Sequence, residues 1–386
     1  MVPHRLGTAS MIPFVFPVAL PLKPLERISP SRFSALKKCR LKEVWAAGGA
    51  PQLLAVSPAA RVGTIIHAVL EGAGKGKIRE PHELEETWNA SVERIQARMS
   101  ESDLERHLVP LSSSALYFEV KKRQCLNMAN EIVQSAVPHK ADRPARQEPE
   151  TEKWLQTSDG LIGGNVDRIL HSDTGTIILD YKSGAIFEES RSPEDKSVKA
   201  EYQVQLKLYA GLYHSVYNEF PAALRVVALD GSSFDIGFTH EDCLALLDEA
   251  RHQLADTNQI VASNESVERK QASLASPEPG VCRYCSFRPA CLPYLQLRLS
   301  QLNSEADWPA DFSGRIVEKR LLGNGYLLVK IVTERNEQIN LRGLTPQRHR
   351  ALNGDTKEIM VFSARRETGE GNYAQGSLTS VYASAH

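Results

Sequence analysis

No charge of either sign dominates this chain: 46 Lys and Arg face 47 Asp and Glu across 386 residues, a net charge of −1. Such balance gives no overall attraction to a polyanion, so any basic surface has to be local. Cysteine is scarce. Six in a chain of this length, without an obvious signal peptide, exclude a secreted disulfide scaffold and set the expectation of a cytoplasmic protein. Long apolar runs are missing too. Met11 to Leu22 comes nearest, but Pro13, Pro17 and Pro21 interrupt any helix there and the run is too short to span a bilayer. No membrane partner is expected, and residues 1–28 read as an extended arm that packs on the body or on a partner. Apolar and charged fractions of 42% and 24% are those of a globular chain long enough for two domains.

What is there concentrates in residues 163–184, GGNVDRILHSDTGTIILDYKSG. The stretch reads as two strands joined by the turn Asp173-Thr174-Gly175. Thr176 to Leu179 is the apolar, β-branched run of a buried strand, and it ends in Asp180-Tyr181-Lys182. Alternate strand residues share a face, so Asp180 and Lys182 point one way and Tyr181 the other. A carboxylate and an ammonium at the end of a buried strand make a poor core but a good site for a divalent metal and a water. Asp167 on the neighbouring strand would add a second carboxylate for a hard cation such as Mg²⁺. Lys182 could then orient the water or offset phosphate charge. Taken alone, the triplet could equally be a surface salt bridge on an ordinary hairpin.

The pattern G-x-x-D followed by an apolar strand ending D-Y-K-x-G resembles the core of the PD-(D/E)XK nuclease superfamily, in its RecB- and AddB-type branch. The resemblance covers residues 29–295. It implies an α/β, restriction-endonuclease-like core, a mixed sheet flanked by helices. Arg61 to Glu71 reads as a helix with Gly63, His67 and Glu71 along one face. Alone, His67 would be an ordinary core or surface histidine. G-x-x-x-H-x-x-x-E, however, resembles the first motif of RecB-type nucleases, which implies that His67, Asp167 and Asp180 bind Mg²⁺ or Mn²⁺; Glu71 reads as structural. Glu201 to Tyr217 is a helix with Val204, Leu208, Leu212 and Val216 at helical spacing. Its Gln205 and Tyr209 resemble a fourth motif, Q-x-x-x-Y, and complete an implied catalytic set of Asp167, Asp180, Lys182, Gln205 and Tyr209. They would hold the lysine and loop in place or bond phosphate oxygens. Glu152 is either an additional metal residue or a surface strand glutamate.

Around this core, Ser29-Pro30 should start a helix that runs to Gly48, with Phe33, Leu36, Leu41 and Trp45 on its apolar stripe and Cys39 within it. Residues 83–137 read as a helical insertion capping the core. Trp88, Val92, Ile95 and Met99 mark its first helix, and Leu116, Val120, Met128 and Ile132 its second. Lys121, Lys122 and Arg123 could contact a phosphate backbone or simply face solvent. Residues 138–149 read as a connector and 188–199 as a mobile loop near the active centre.

A second dense motif, Cys282, Cys285 and Cys291 in C-x2-C-x5-C spacing, supplies three sulfur ligands where a tetrahedral centre needs four, and Cys39 is the available fourth. AddB-type and CRISPR-adaptation nucleases hold a [4Fe–4S] cluster on one early and three late cysteines, and the resemblance implies the same here. Zn²⁺ is the alternative, which spacing alone cannot separate. Such a staple, closing the chain between residues 39 and 282, would be worth several kcal/mol in a chain-entropy picture. Phe287-Arg288 could pack against it or contact DNA.

After a linker at 296–310, residues 311–386 read as five short strands parted by Gly, Asn and Asp turns, a small OB-like β-barrel. Tyr326, Arg365 and Arg366 lead its candidates for contacting nucleic acid. The resemblance does not extend to this barrel. The expectation is therefore a metal-dependent deoxyribonuclease acting on single-stranded DNA or DNA ends, in repair, recombination or defence, with a possible helicase partner. The alternative is a DNA-binding or assembly subunit of a helicase–nuclease complex with a structural metal cluster and no cleavage of its own.

Overall fold

The first described element, β1 (Val15–Phe16), joins a sheet built from the far end of the chain. The computed structural model describes residues 15–16, 18–78, 80–136, 149–188, 197–300 and 307–384. Most of the expected arm, the connector, most of the loop at 188–199 and part of the linker lie outside the described residues.

The single helix expected from Ser29 to Gly48 is two, α1 (Pro30–Lys38) and α2 (Arg40–Ala47). Cys39 breaks them with extended backbone, φ −161° and ψ 102°. It closes α1 by donating its N–H to the Ala35 carbonyl, and the break takes its thiol out of the helical stripe. Helix α3 (Pro58–Gly74) starts where the Ser57 hydroxyl accepts the Ala60 N–H. The insertion has α4 (Pro81–Glu101), a one-turn 3₁₀ segment at Arg106–Leu108, α5 (Leu111–Ser114) and α6 (Phe118–Ala136). Its second helix therefore starts later than expected. Leu116 and Val120 are exposed, whereas Met128 and Ile132 are buried as expected.

Strands β2 (Glu150–Gln156), β3 (Gly163–Ser172) and β4 (Gly175–Lys182) form an antiparallel meander. Helix α7 (Ala200–Tyr217) then carries the chain to β5 (Ala223–Ala228), which lies parallel to β4, and β6 (Ser233–Asp235) closes the edge. The order is β2-β3-β4-β5-β6, a mixed sheet with β4 at its centre. Residues of α1, α2, α7 and α8 (His240–Ala262) pack with Val166, Ile178 and Val226 in one core. Those of α3, α4 and α6 pack with Tyr181 and Leu229 in another. The sheet is thus covered on both faces, as a central parallel pair requires. The buried side of α7 is broader than the expected stripe: Gln205, Tyr209 and Tyr213 are inside, while Val216 is exposed.

Beyond α8 come α9 (Val267–Leu274), α10 (Pro279–Cys282) and α11 (Leu292–Ser300). The C-terminal strands are β7 (Ala310–Leu321), β8 (Leu327–Val332), β9 (Gln338–Leu344), β10 (Glu358–Arg366), β11 (Asn372–Ala374) and β12 (Ser380–Ser384). Five of them close a barrel in the order β7-β8-β9-β11-β10-β7, with β9 and β11 parallel. Strand β12 adds to β10 outside the ring and receives β1 in turn. The barrel is OB-like, but it is not set apart. Met360, Phe362 and Tyr382 belong to the core of the α/β body, and the Tyr382 hydroxyl donates to the Leu53 carbonyl at 2.5 Å.

Candidate active site

The β3–β4 ladder pairs Arg168 with Leu179, and one step further Asp167 comes level with Asp180. There Asp167 Oδ2 accepts the Tyr181 N–H at 2.8 Å. Asp180 is buried at the end of the strand. Its Oδ1 accepts from Gln205 Nε2 at 2.7 Å. Lys182 Nζ stands 2.6 Å from its Oδ2 and donates to Gln205 Oε1 at 2.9 Å. Asp180, Lys182 and Gln205 thus form a closed three-membered network that spends both ends of the Gln205 amide. Among the described residues that buried oxygen meets no donor other than the lysine ammonium. The ammonium also sits 4.7 Å from the Tyr202 ring centroid.

Burial is the main cause that pushes Asp180 up to about 6, against the pull of Lys182 and with a further push from Asp167. Asp167 is likewise raised to about 6 by burial, against the Tyr181 N–H and Lys182. His67, on α3, keeps an open face to solvent. Crowding by protein and then the Lys182 ammonium hold it below the ordinary imidazole value, and Asp180 opposes this. His67 lines one cleft with Glu71, Glu152, Asp167 and Tyr181. Two glycines allow the elements around the site to approach closely. A side chain at Gly63 would press on Ser183 Oγ at 3.2 Å, and one at Gly164 on Pro30 and the Tyr209 hydroxyl at 3.0 and 3.2 Å. Tyr209 gives its proton to the Asn165 carbonyl at 2.5 Å and so braces α7 against β3.

Glu152 has φ +51°, a backbone state that non-glycine residues rarely adopt. It lies between the paired positions Thr151–Arg168 and Lys153–Val166, beside Asp167. Burial and the neighbouring Glu71 raise its pKa. Periodicity has no signal for this placement. Among the described residues, no three His, Cys, Asp or Glu side chains are gathered as tightly as a bound ion requires. Lys182, Gln205 and the Tyr181 N–H engage the carboxylates instead. The donor set still suits a hard divalent cation: the buried Asp180 carboxyl, whose Oδ2 meets only the Lys182 ammonium among the described residues, the half-buried Asp167 carboxyl and an imidazole.

Cys39, Cys282, Cys285 and Cys291 are all buried and line one small cavity with Trp45, Arg288 and Tyr294. Burial pushes the Cys282 thiol up to about 12 and raises Cys285 and Cys291 as well; neighbouring cysteines of the set add to each shift. Four buried thiols that line one cavity would suit a centre whose positive charge stabilised them as thiolates, although they are not gathered as tightly as a bound centre requires. Phe287 and Arg288 are buried, so neither reaches DNA as the sequence allowed. Phe287 packs on Trp45, with ring centroids 5.8 Å apart.

The basic residues singled out in sequence are partly engaged. Lys122 pairs with Glu85 at 2.7 Å, Lys121 donates to the Ser183 carbonyl at 3.4 Å, and Arg123 is exposed. Arg365 pairs with Glu367, Arg366 donates to the Trp308 carbonyl, and Tyr326 is exposed.

A five-stranded mixed sheet with helices on both faces, an aspartate at the end of its central strand and another level with it on the neighbouring strand defines a restriction-endonuclease-like α/β core. The family model of the PD-(D/E)XK nuclease superfamily matches residues 27–292, and the chain belongs to that superfamily. Over 166 residues it is 25% identical to an ATP-dependent helicase/nuclease subunit of Oceanobacillus iheyensis. The match takes in 43% of this chain and spans 13% of that relative's length. No helix among the described residues is long and apolar enough to cross a membrane.

Proposed function

We propose that this protein is a Mg²⁺- or Mn²⁺-dependent deoxyribonuclease that hydrolyses phosphodiester bonds in single-stranded DNA or at DNA ends. The network of Asp180, Lys182 and Gln205, beside Asp167 and His67, carries the reading. His67, Asp167 and Asp180 would hold the ion, which would supply Lewis-acid stabilisation of the phosphate and a more acidic water. Lys182 orients the nucleophile or offsets charge in the transition state. Gln205 fixes Lys182 and Asp180 relative to each other, and Tyr209 fixes the helix that carries Gln205. Work beside a helicase is part of the proposal; its support is the helicase/nuclease name of the Oceanobacillus iheyensis relative. The direct test is digestion of end-labelled DNA with Mg²⁺, with Mn²⁺ and with EDTA. No cleavage under any of these conditions would overturn the reading.

The raised carboxyls set a pH dependence. Between about pH 4 and 6 the metal-free fold keeps protons on Asp167 and Asp180 that an unfolded chain would release. Their contribution to metal-free stability therefore falls as pH rises through that window. Cation binding needs the ionised forms, so it strengthens over the same range. Mg²⁺ is expected to raise the melting temperature clearly at pH 8 and hardly at pH 5, measured by thermal unfolding against EDTA controls. An equal rise at both values would remove these two acids from the metal site.

We also propose that Cys39, Cys282, Cys285 and Cys291 hold a [4Fe–4S] cluster, with Zn²⁺ the alternative occupant, in a structural role. Anaerobically purified protein should be brown with a broad visible absorption, and Cys39→Ser should lose both colour and iron. Colourless protein containing one equivalent of zinc would select the alternative.

A further inference from the structure

The chemistry leaves one large feature unused. A groove of about 550 Å³ starts at Lys182 and Gln205 and runs along α1 and the start of α7 to the cysteine loop. Lys38 and Lys42 line it, as does Tyr284, which lies between Cys282 and Cys285 in the chain. Tyr284 is 75% exposed, although the cysteines on either side of it are buried. Here the backbone beneath the ring is held firmly: the Cys282 and Cys285 carbonyls both accept from the buried Arg288 guanidinium, at 2.7 and 3.0 Å.

The charges in the groove can be followed one by one. Lys38 pairs with Glu201 at 2.6 Å, and Lys182 with Asp180. Glu278 adds a carboxylate to the rim. Lys42 is half-buried and makes no salt bridge among the described residues. Tyr202, in the same lining and 4.7 Å from the Lys182 ammonium at its ring centroid, offers a second ring. An aromatic face, an ammonium without a carboxylate partner and a path to the reactive end of β4 make up a stacking platform beside a phosphate contact. The volume is that of a small-ligand site, room for a short piece of one strand and too little for a duplex.

We propose that this groove is the track for single-stranded DNA on its way to Lys182, with Tyr284 stacking on a base and Lys42 contacting a phosphate. The proposal rests on the nuclease reading of the adjoining site and adds the path of the strand to it. It also gives the cysteine loop a second role, because a loop that holds Tyr284 in place positions substrate as well as fastening the fold.

The test measures binding apart from cleavage. A fluorescein-labelled single strand is titrated with the full-length protein in EDTA and followed by anisotropy, with duplex and RNA of the same sequence as further arms. Tyr284→Ala and Lys42→Ala are each expected to weaken binding of the DNA strand about tenfold, the size of one lost stacking or phosphate contact. Arg320→Ala, exposed on the barrel, should leave binding unchanged. Tyr284→Phe should keep the affinity, because the ring and not the hydroxyl is used. In Mg²⁺ the Tyr284→Ala defect should appear in KM far more than in kcat. Failure of the unaltered protein to bind the strand, equal affinity for duplex, or unchanged binding by both alanine variants would overturn the track. RNA bound as tightly as DNA, with the same variant losses, would keep the track and remove its preference for DNA. Strand binding that is sensitive to Tyr284, without any cleavage in Mg²⁺ or Mn²⁺, would overturn the nuclease reading and leave the track standing.

Discussion

Asp180→Asn is expected to lower cleavage by at least about a thousandfold while leaving the fold and strand binding intact. Asparagine keeps the shape of the side chain, and its carbonyl can still accept from Gln205 Nε2 as Asp180 Oδ1 does. What it loses is charge, and two consequences follow. The proposed cation loses one of its two acidic ligands. Lys182, whose side chain is only 13% exposed, loses the carboxylate 2.6 Å away and is held by Gln205 Oε1 and the Tyr202 ring face. Asp180→Ala would remove the charge too, but it would also open a cavity and strand Gln205, so a loss of activity could then reflect a collapsed strand end. The measurement is single-turnover digestion of end-labelled DNA in Mg²⁺, with thermal unfolding and EDTA binding as controls. Activity within tenfold of the unaltered protein would rule out Asp180 as a metal ligand. Lys182→Met should fall as far in rate and gain metal affinity, because it takes the competing ammonium away from Oδ2. That opposite movement of binding and rate separates the two roles.

The centre of this site was legible because it is local. Glycines at 163 and 164, the turn at 173–175 and the apolar run ending in Asp-Tyr-Lys fix two strands and their register within about twenty residues, and register decides which side chains share a face. His67 and Gln205 stand out only by the family motifs they resemble; helical spacing alone leaves each an ordinary helix residue. What sequence pattern missed depends on distant partners. The break at Cys39 lies inside an apolar stripe that continues on both sides of it, so periodicity reads through it. Leu116 and Val120 fit an amphipathic helix that begins only at Phe118, where Val120 turns outward. Glu152 carries no mark of its left-handed backbone, a state that residue type alone does not favour. The strand at Asn372–Ala374 is three residues long, and its parallel pairing with β9 exists only once the barrel closes. Arg288 looks like a surface cation beside the cysteines. Its burial is understandable only from Asp311, which a reading by composition makes the first residue of a separate domain.

That pair carries the second large effect. Arg288 and Asp311 are both nearly inaccessible and 2.7 Å apart. Asp311 accepts from the guanidinium, from the Tyr294 hydroxyl at 2.7 Å and from the Ser363 N–H at 2.7 Å. Arg288 donates in turn to three carbonyls of the cysteine loop and to the Ser363 hydroxyl. One buried network thus ties the loop that holds three cysteines to β7 and β10 of the barrel. Asp311→Ala leaves the Tyr294 hydroxyl and the Ser363 amide without acceptors and a buried cation without its counter-charge, and is expected to cost about 3–5 kcal/mol of stability. Burial of Met360, Phe362 and Tyr382 in the same core argues that barrel and body melt together, so urea unfolding should show one transition with a lower midpoint. Replacing both members with apolar residues rescues many buried pairs, but it should not rescue this one. Arg288→Met with Asp311→Leu would still abandon three loop carbonyls and the Ser363 N–H. Two separate transitions in the unaltered protein would show that the barrel folds independently. A loss below about 1 kcal/mol for Asp311→Ala would show that the buried pair is replaceable and that apolar packing alone holds the barrel to the cysteine loop.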